Sequence, residues 1–226
     1  MYDHGVTFQR ARSEEQREIR RRAILDTATA MLGEMPVAEV SLNELSRRVG
    51  LAKSNVLRYF ETREAVLLEL LNRFVQEWLV ALADELATGI DPRDSPADRA
   101  GRLAEVLSRS LADRPVLCNL FGAQGSVLEQ NVSVEVATQH KRASLDSLAT
   151  ATDLVLKHLP EFGDTAQGYC LQVLIMAGAL SAYVPPPASI LAVYQADPAL
   201  ATLPIDLHEA LRLSVIMTTM GALPRP

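Results

Sequence analysis

No stretch of this chain holds the run of about 20 apolar residues that a membrane-spanning helix needs. The opening residues mix acidic, basic and polar side chains without a hydrophobic segment, so no secretory signal is expected and a cytoplasmic location is. Cysteine is scarce. Cys118 and Cys170 are the only two, too few for a disulfide scaffold and consistent with a cytosolic chain. Both read as small buried apolar residues rather than a redox pair, because nothing near them is strongly electropositive. The histidines His4, His140, His158 and His208 have no metal-ligand spacing among themselves or with the cysteines, so no metal site is expected. A glycine loop for phosphate and a nucleophile elbow are both missing, which argues against an enzyme and against a cofactor. Strand-like alternation and internal repeats are missing too, leaving an all-α fold.

What is present is apolar periodicity. The 226 residues are 48% apolar, ample for a core. A first helix is expected over about 13–34, with Ile24, Ala28, Met31 and Leu32 inward, and Pro36 breaks it. Thr62 caps a long fourth helix whose stripe is Leu67, Leu70, Leu71, Phe74 and Trp78. Residues 89–96 read as a linker, and Ser95 with Pro96 opens the next helix. Leu103, Val106, Leu107 and Leu111 continue the period. Pro115 starts a short helix through Phe121, followed by a turn over 122–126. Long helices over about 130–158 and 164–184 come next, the second stopped by Pro185, Pro186 and Pro187. A short helix near 188–195 and a last one over 207–220 complete the chain.

The most informative segment is Ser41 to Phe60. Ser41 followed by Glu44 fits a capping box, in which the serine accepts from the N3 amide and the glutamate reaches back. Leu42, Leu45 and Val49 share one helical face. Gly50 stands where the helix must stop, and glycine takes a left-handed cap without steric cost. Leu51 plugs the space between two helices. Val56 and Phe60 face inward, which leaves Lys53, Ser54, Asn55, Leu57, Arg58 and Tyr59 on an outer arc. A helix-turn-helix lays this arc in the major groove of duplex DNA. Asn55 can pair with adenine, Arg58 with guanine, and Leu57 can touch a thymine methyl. Lys53 and Tyr59 suit phosphate, which sets register without reading sequence. Ser41, at the head of the segment, is grouped with these DNA-facing residues. Spacing alone leaves open a plain amphipathic hairpin, and with it a helical adaptor that binds protein and no DNA.

Residues 21–28, the segment 41–60 with its Tyr59-Phe60 pair, the polar turn 61–64 and the apolar 65–70 together resemble the DNA-binding domain of the TetR (tetracycline-repressor-like) family of transcriptional regulators. The likeness covers about residues 16–75. It implies phosphate contacts from Tyr59 and from Arg63, which stands where the family usually has a lysine. Leu57 departs from the pattern, since many members carry a second tyrosine there. Charge agrees with this reading. Residues 1–63 hold eleven Lys or Arg against nine Asp or Glu, and residues 64–226 eleven against nineteen. DNA attracts the first part and repels the second. Arginines crowd the lead-in, and Arg10 and Arg12 fall in an arm over about 1–12 that reads as flexible.

The resemblance further implies two domains, a DNA-binding domain over 1–63 and a ligand-sensing and dimerisation domain over 64–226. It implies a homodimer built on the last two long helices, which here are apolar nearly all round. The small residues Ala177, Gly178, Ala179, Ser181 and Ala182 would allow close helix approach. It implies a palindromic operator, and a small-molecule effector that releases a repressor from it. Phe74, Trp78, Leu107, Phe121, Gln124, Gln139, His140 and Tyr169 are the candidate pocket walls, mostly apolar with a few polar groups.

Overall fold

Helix ends in this chain are written in short polar cues, and the computed structural model obeys most of them. It describes the backbone of residues 4–201 and 206–223, and side chains from residue 14 onward within those ranges. Ten α-helices are described: α1 (His4–Glu34), α2 (Leu42–Val49), α3 (Lys53–Val56), α4 (Arg63–Gly89), α5 (Pro96–Ala112), α6 (Pro115–Ala123), α7 (Val134–His158), α8 (Ala166–Ser181), α9 (Ala188–Ala196) and α10 (Leu207–Ala222). No strand occurs among the described residues.

The hydroxyls of Thr62, Ser95 and Ser133 accept from backbone amides three residues on and start α4, α5 and α7. Ser133 moves the start of α7 to Val134, later than the expected 130. The helix α1 begins at His4, well before the expected residue 13. Between there and Pro36 the chain has no proline to halt the helix and many good helix formers, Arg, Glu and Gln among them. The side chains of Arg10 and Arg12 lie outside the described residues, so their reach toward a minor groove is untouched by this. The expected turn after Phe121 is instead two further helical residues and a π-turn over Gln124–Leu128. Before α8, the segment Pro160–Thr165 is a 3-10 turn in which Gly163 has φ +49°, a value that favours glycine.

Two layers of packing position everything else. Ile24, Ala28 and Met31 of α1 meet Leu45 of α2, Val56, Phe60 and Leu67 of α4 in one buried core. The helices α4 to α8 and α10 then form a bundle, with α10 lying chiefly on α5 and α6 on α8. The helix α4 belongs to both layers. Its fully buried Leu67, Leu70, Leu79, Leu82 and Leu86 follow the helical period along its whole length.

The α6–α8 crossing is closer than side chains permit. A Cβ on Gly122 would lie 2.7 Å from the Gly178 carbonyl oxygen, and one on Gly178 would lie 2.6 Å from the Gly122 nitrogen. Part of the small-residue stripe expected to serve a partner chain therefore serves this chain's own α6. Ala177, Gly178 and Ser181 are buried, whereas Ala179 and Ala182 are exposed.

Candidate nucleic-acid interface and effector cavity

The reading segment starts from two caps. The Ser41 hydroxyl accepts from the Glu44 amide at 3.2 Å. The other half of the expected capping box does not form. The Glu44 carboxylate instead accepts from Arg47 at 2.6 Å and from Arg48 at 2.8 Å, which outcompete a return to the cap. These two guanidiniums pull the Glu44 pKa down to about 2. At the other end Gly50 is left-handed, with φ 71°. Leu51 N donates to Ser46 O at 3.0 Å and Gly50 N to Arg47 O at 3.3 Å, the paired bonds of a Schellman stop.

The helix α3 is a single turn. Beyond Val56 the chain tightens to i→i+3 bonds, with Arg58 N donating to Asn55 O at 3.2 Å and Tyr59 N to Val56 O at 2.9 Å. The expected helix through Phe60 is thus shorter, but the two faces are as periodicity requires. Val56 and Phe60 are buried at 0% and 5% exposure. Lys53, Ser54, Asn55, Leu57 and Arg58 are exposed, as is Ser41, and Tyr59 is half-buried.

Arg63 is placed differently from the rest. Its guanidinium donates to the carbonyls of Ala38 at 3.2 Å and Val40 at 3.1 Å, across the turn before α2. Its Nε sits 3.1 Å from Glu64 but off the hydrogen-bond axis. The side chain that the family likeness sends to phosphate is here a strut between α4 and the loop. Both bonds leave one nitrogen, Nη1. Arg21 adds a second tie. It pairs with Glu69 of α4 and lies 4.9 Å from the centre of the Phe60 ring.

A cavity of about 450 Å³ opens between α4, the π-turn, α7 and α8. Its walls are largely apolar, from Leu71, Val75, Leu148, Leu174 and Ile175. Trp78, Phe121 and Gln124 border it, and the other five candidate wall residues do not. Leu107 is 3% exposed within the bundle core. Phe74 packs partly buried against the core, with Arg73 at 5.7 Å from its ring. Tyr169 faces α10, where its hydroxyl meets Thr219 at 2.9 Å and its ring packs on Phe162 at 4.8 Å. Burial raises its pKa.

Gln139 and His140 line a separate groove of about 710 Å³ between α7 and the reading segment, which also borders on Arg58 and Tyr59. His140 is 2% exposed, and burial pulls its pKa below the usual histidine value. Its Nδ1 lies 2.8 Å from Asn72 Oδ1, which assigns the proton of the neutral ring to Nδ1.

Of the polar end of the cavity, Gln124 was expected from sequence, whereas Glu129 and Lys141 were not. Glu129 Oε1 accepts from Gln124 Nε2 and from Lys141 Nζ, both at 2.8 Å, with His140 Nε2 at 3.6 Å. Burial would raise the Glu129 pKa, but the Lys141 and Gln124 hydrogen bonds outweigh it and hold the carboxyl below its ordinary value. Asn72 borders both the cavity and the groove. Lys141, Ser144, Leu148 and Ala151 on α7 recur at helical spacing, the one signal that could have marked the cavity face. At the head of α7, Ser133 N donates to Glu61 Oε1 at 2.6 Å, a direct tie from the reading domain to α7.

The two cysteines are buried, and burial pushes the Cys118 thiol up to about 12 and Cys170 up to about 11. At pH 8 both stay protonated and poor nucleophiles. Iodoacetamide is expected to label neither in the folded protein and both after denaturation. Labelling of native Cys118 at the rate of a free thiol would contradict its placement.

Comparison with known proteins agrees in both halves. Residues 24–70 match the family described as bacterial regulatory proteins, tetR family, and residues 73–226 match the tetracyclin repressor-like C-terminal domain. The HTH-type transcriptional regulator EthR of Mycobacterium tuberculosis is 40% identical over 60 residues, which are 26% of this chain and 28% of that protein. The aligned part thus spans little more than a quarter of that curated relative. Among solved structures, the regulator FadR from Bacillus subtilis in complex with stearoyl-CoA superposes with a TM-score of 0.53 at 13% identity, covering 90% of this chain and 99% of that one. A tetR-family regulatory protein from Rhodococcus RHA1 gives 0.52 at 11% identity, covering 92% and 98%. At these identities the structures speak for the fold alone. No described helix is long and apolar enough to cross a membrane.

Proposed function

The chain belongs to the TetR family of bacterial regulatory proteins, DNA-binding transcriptional regulators, and we propose that it acts as a homodimeric repressor that leaves a palindromic operator when a small molecule fills the α4–α7–α8 cavity. In this reading residues 1–63 bind DNA, while residues 64–226 sense the ligand and dimerise. Asn55 and Arg58 read bases, and Lys53 and Tyr59 hold phosphate. Leu57 offers a methyl contact where a second tyrosine would have offered a hydroxyl. Arg63 sets the angle between α4 and the loop before α2 and adds positive potential.

The observation that carries the proposal is that α4 and α7 each serve two surfaces. On α7, Lys141 and Leu148 border the cavity while Gln139 and His140 border the groove behind the reading segment. On α4, Asn72 borders both. A ligand that moves either helix must move the Glu61–Ser133 and Asn72–His140 contacts with it, and so favours one of two domain arrangements. The dimer reading rests on α8 and α10. Each divides into a buried arc and an exposed apolar one, with Leu213 and Met217 57% and 66% exposed on α10, and Leu171 and Ile175, which also edge the cavity, 47% and 61% exposed on α8. Two copies joined there can meet successive major grooves about 34–36 Å apart only in one domain arrangement.

Selection of bound fragments from random DNA at a stated salt concentration tests this. A palindromic motif with half-sites about one helical turn apart is expected, from a protein that sediments as a dimer. No enrichment over random sequence would reject the palindromic operator, and a monomer would reject the homodimer.

A further inference from the structure

Beside the reading segment is a hollow of about 290 Å³ that α1 helps to build. Its walls are Arg20 of α1, Leu51 of the turn, and Asn55, Arg58 and Tyr59. Two guanidiniums thus border one small space, and no described carboxylate borders it with them. Other arginines of this domain are neutralised where they stand. Arg21 pairs with Glu69, and Arg47 and Arg48 pair with Glu44. Arg20 and Arg58 are exposed and have no ionic partner among the described residues. Like charges brought to one concave surface without a counter-ion raise the local potential and favour an anion there.

The helical period extends this feature along α1. Arg17, one turn before Arg20, lies on the same side of the helix and is exposed too. Glu14, Glu15 and Glu18 fall more than about 100° round the helix from Arg20. The helix α1 therefore sets its cationic side next to the reading segment and turns its acidic side away from the hollow.

We infer that α1 is itself a DNA-contacting element, and that the hollow seats one backbone phosphate of the duplex, held by Arg20 and the Tyr59 hydroxyl. The inference rests on the reading segment binding DNA. Three of the five walls belong to the outer arc, so an anion seated there is part of the duplex that the arc meets. In a helix-turn-helix the second helix enters the groove, and elements beside it lie over the backbone. A guanidinium offers a planar fork of N–H donors that matches phosphate oxygens. Such a contact sets register and carries no sequence information.

Titrations of the full chain on the selected operator and on a scrambled duplex, at several salt concentrations, test this. Arg20→Ala is expected to weaken both duplexes alike, by roughly tenfold, and to lower the salt slope by about one. Arg20→Lys, which keeps the charge, should hold the slope. Arg22→Ala is the control. It removes the same charge from an exposed residue on nearly the opposite side of α1, and should leave slope and affinity close to wild type. Melting curves check that the variants are folded. An unchanged slope for Arg20→Ala, or an equal loss for Arg22→Ala, overturns the inference while the reading segment keeps its role. A loss confined to the operator would make Arg20 a base reader and overturn the phosphate seat. No binding of the wild type to either duplex removes the reading segment's role, and the inference with it.

Discussion

Gly178→Val is expected to be among the most damaging single substitutions in the chain. The added Cβ alone would lie 2.6 Å from Gly122 N and 2.8 Å from the Phe121 carbonyl carbon. Both are backbone atoms, so no side chain can swing aside to relieve the contact. The helices α6 and α8 must separate, and α6 carries buried Leu117, Cys118 and Leu120 away with it. Overpacking in a tight core costs about 1–3 kcal/mol and more where backbone must move. A loss of about 3 kcal/mol lowers the melting temperature of a chain this size by roughly 6–12 °C.

The same helix supplies the control. Nothing lies within 4 Å of a Cβ placed on Gly168. Gly168→Ala should therefore be neutral or stabilise by about 0.5–1 kcal/mol, as a helical glycine replaced by alanine does. Thermal melting of the two variants decides the matter. Equal melting temperatures for wild type and Gly178→Val would mean that the crossing is not as close as described. The Phe121 end of the cavity moves with the crossing, so Gly178→Val should also weaken any ligand bound there.

Arg58→Ala is expected to cost about 1–3 kcal/mol on the best operator, roughly 5- to 150-fold in affinity, and to relax preference at one base pair. Arg58 is exposed, and its side chain has no hydrogen bond among the described residues. The melting temperature should accordingly stay unchanged. Lys53→Ala makes the contrast. A lost phosphate contact should weaken specific and random DNA alike and lower the salt slope by about one. Titrations of both variants on operator and on scrambled duplex, at several salt concentrations, separate the roles. Equal losses on the two duplexes for Arg58→Ala would remove it from base reading and make it a phosphate ligand.

Much of the chain was legible without coordinates. Ser41, Gly50, Thr62 and Ser95 each mark a helix end within a residue or so, because a cap is a bond between neighbours in sequence. Val56 and Phe60 on one side of α3 and Asn55 and Arg58 on the other follow from the helical period. The same period made α8 and α10 too apolar for one face, and both indeed divide into a buried and an exposed arc. Where local signals competed, reading was less secure. Glu44 had a cap amide and two guanidiniums within reach, and the charged partners took it.

The candidate pocket walls show where local reasoning stops. Trp78, Phe121 and Gln124 reach the cavity, whereas Leu107 and Tyr169 turn into the bundle and Gln139 and His140 into the groove. All are apolar or polar residues on amphipathic helices, and periodicity says only that each faces something.

The sequence by itself determined an all-α chain, those helix ends that a cap marks, a helix-turn-helix with an outward polar arc, and the family. These depend on residues within a few positions of one another, where bond lengths and the 3.6-residue turn leave few choices. Tertiary structure alone decided that Gly122 meets Gly178, that Arg63 braces Ala38 and Val40, and that Glu129 closes one end of a cavity shared by α4, α7 and α8. Each of these joins residues far apart in the chain. Which helices become neighbours is set by the packing of the whole core, a property that no short window of sequence contains.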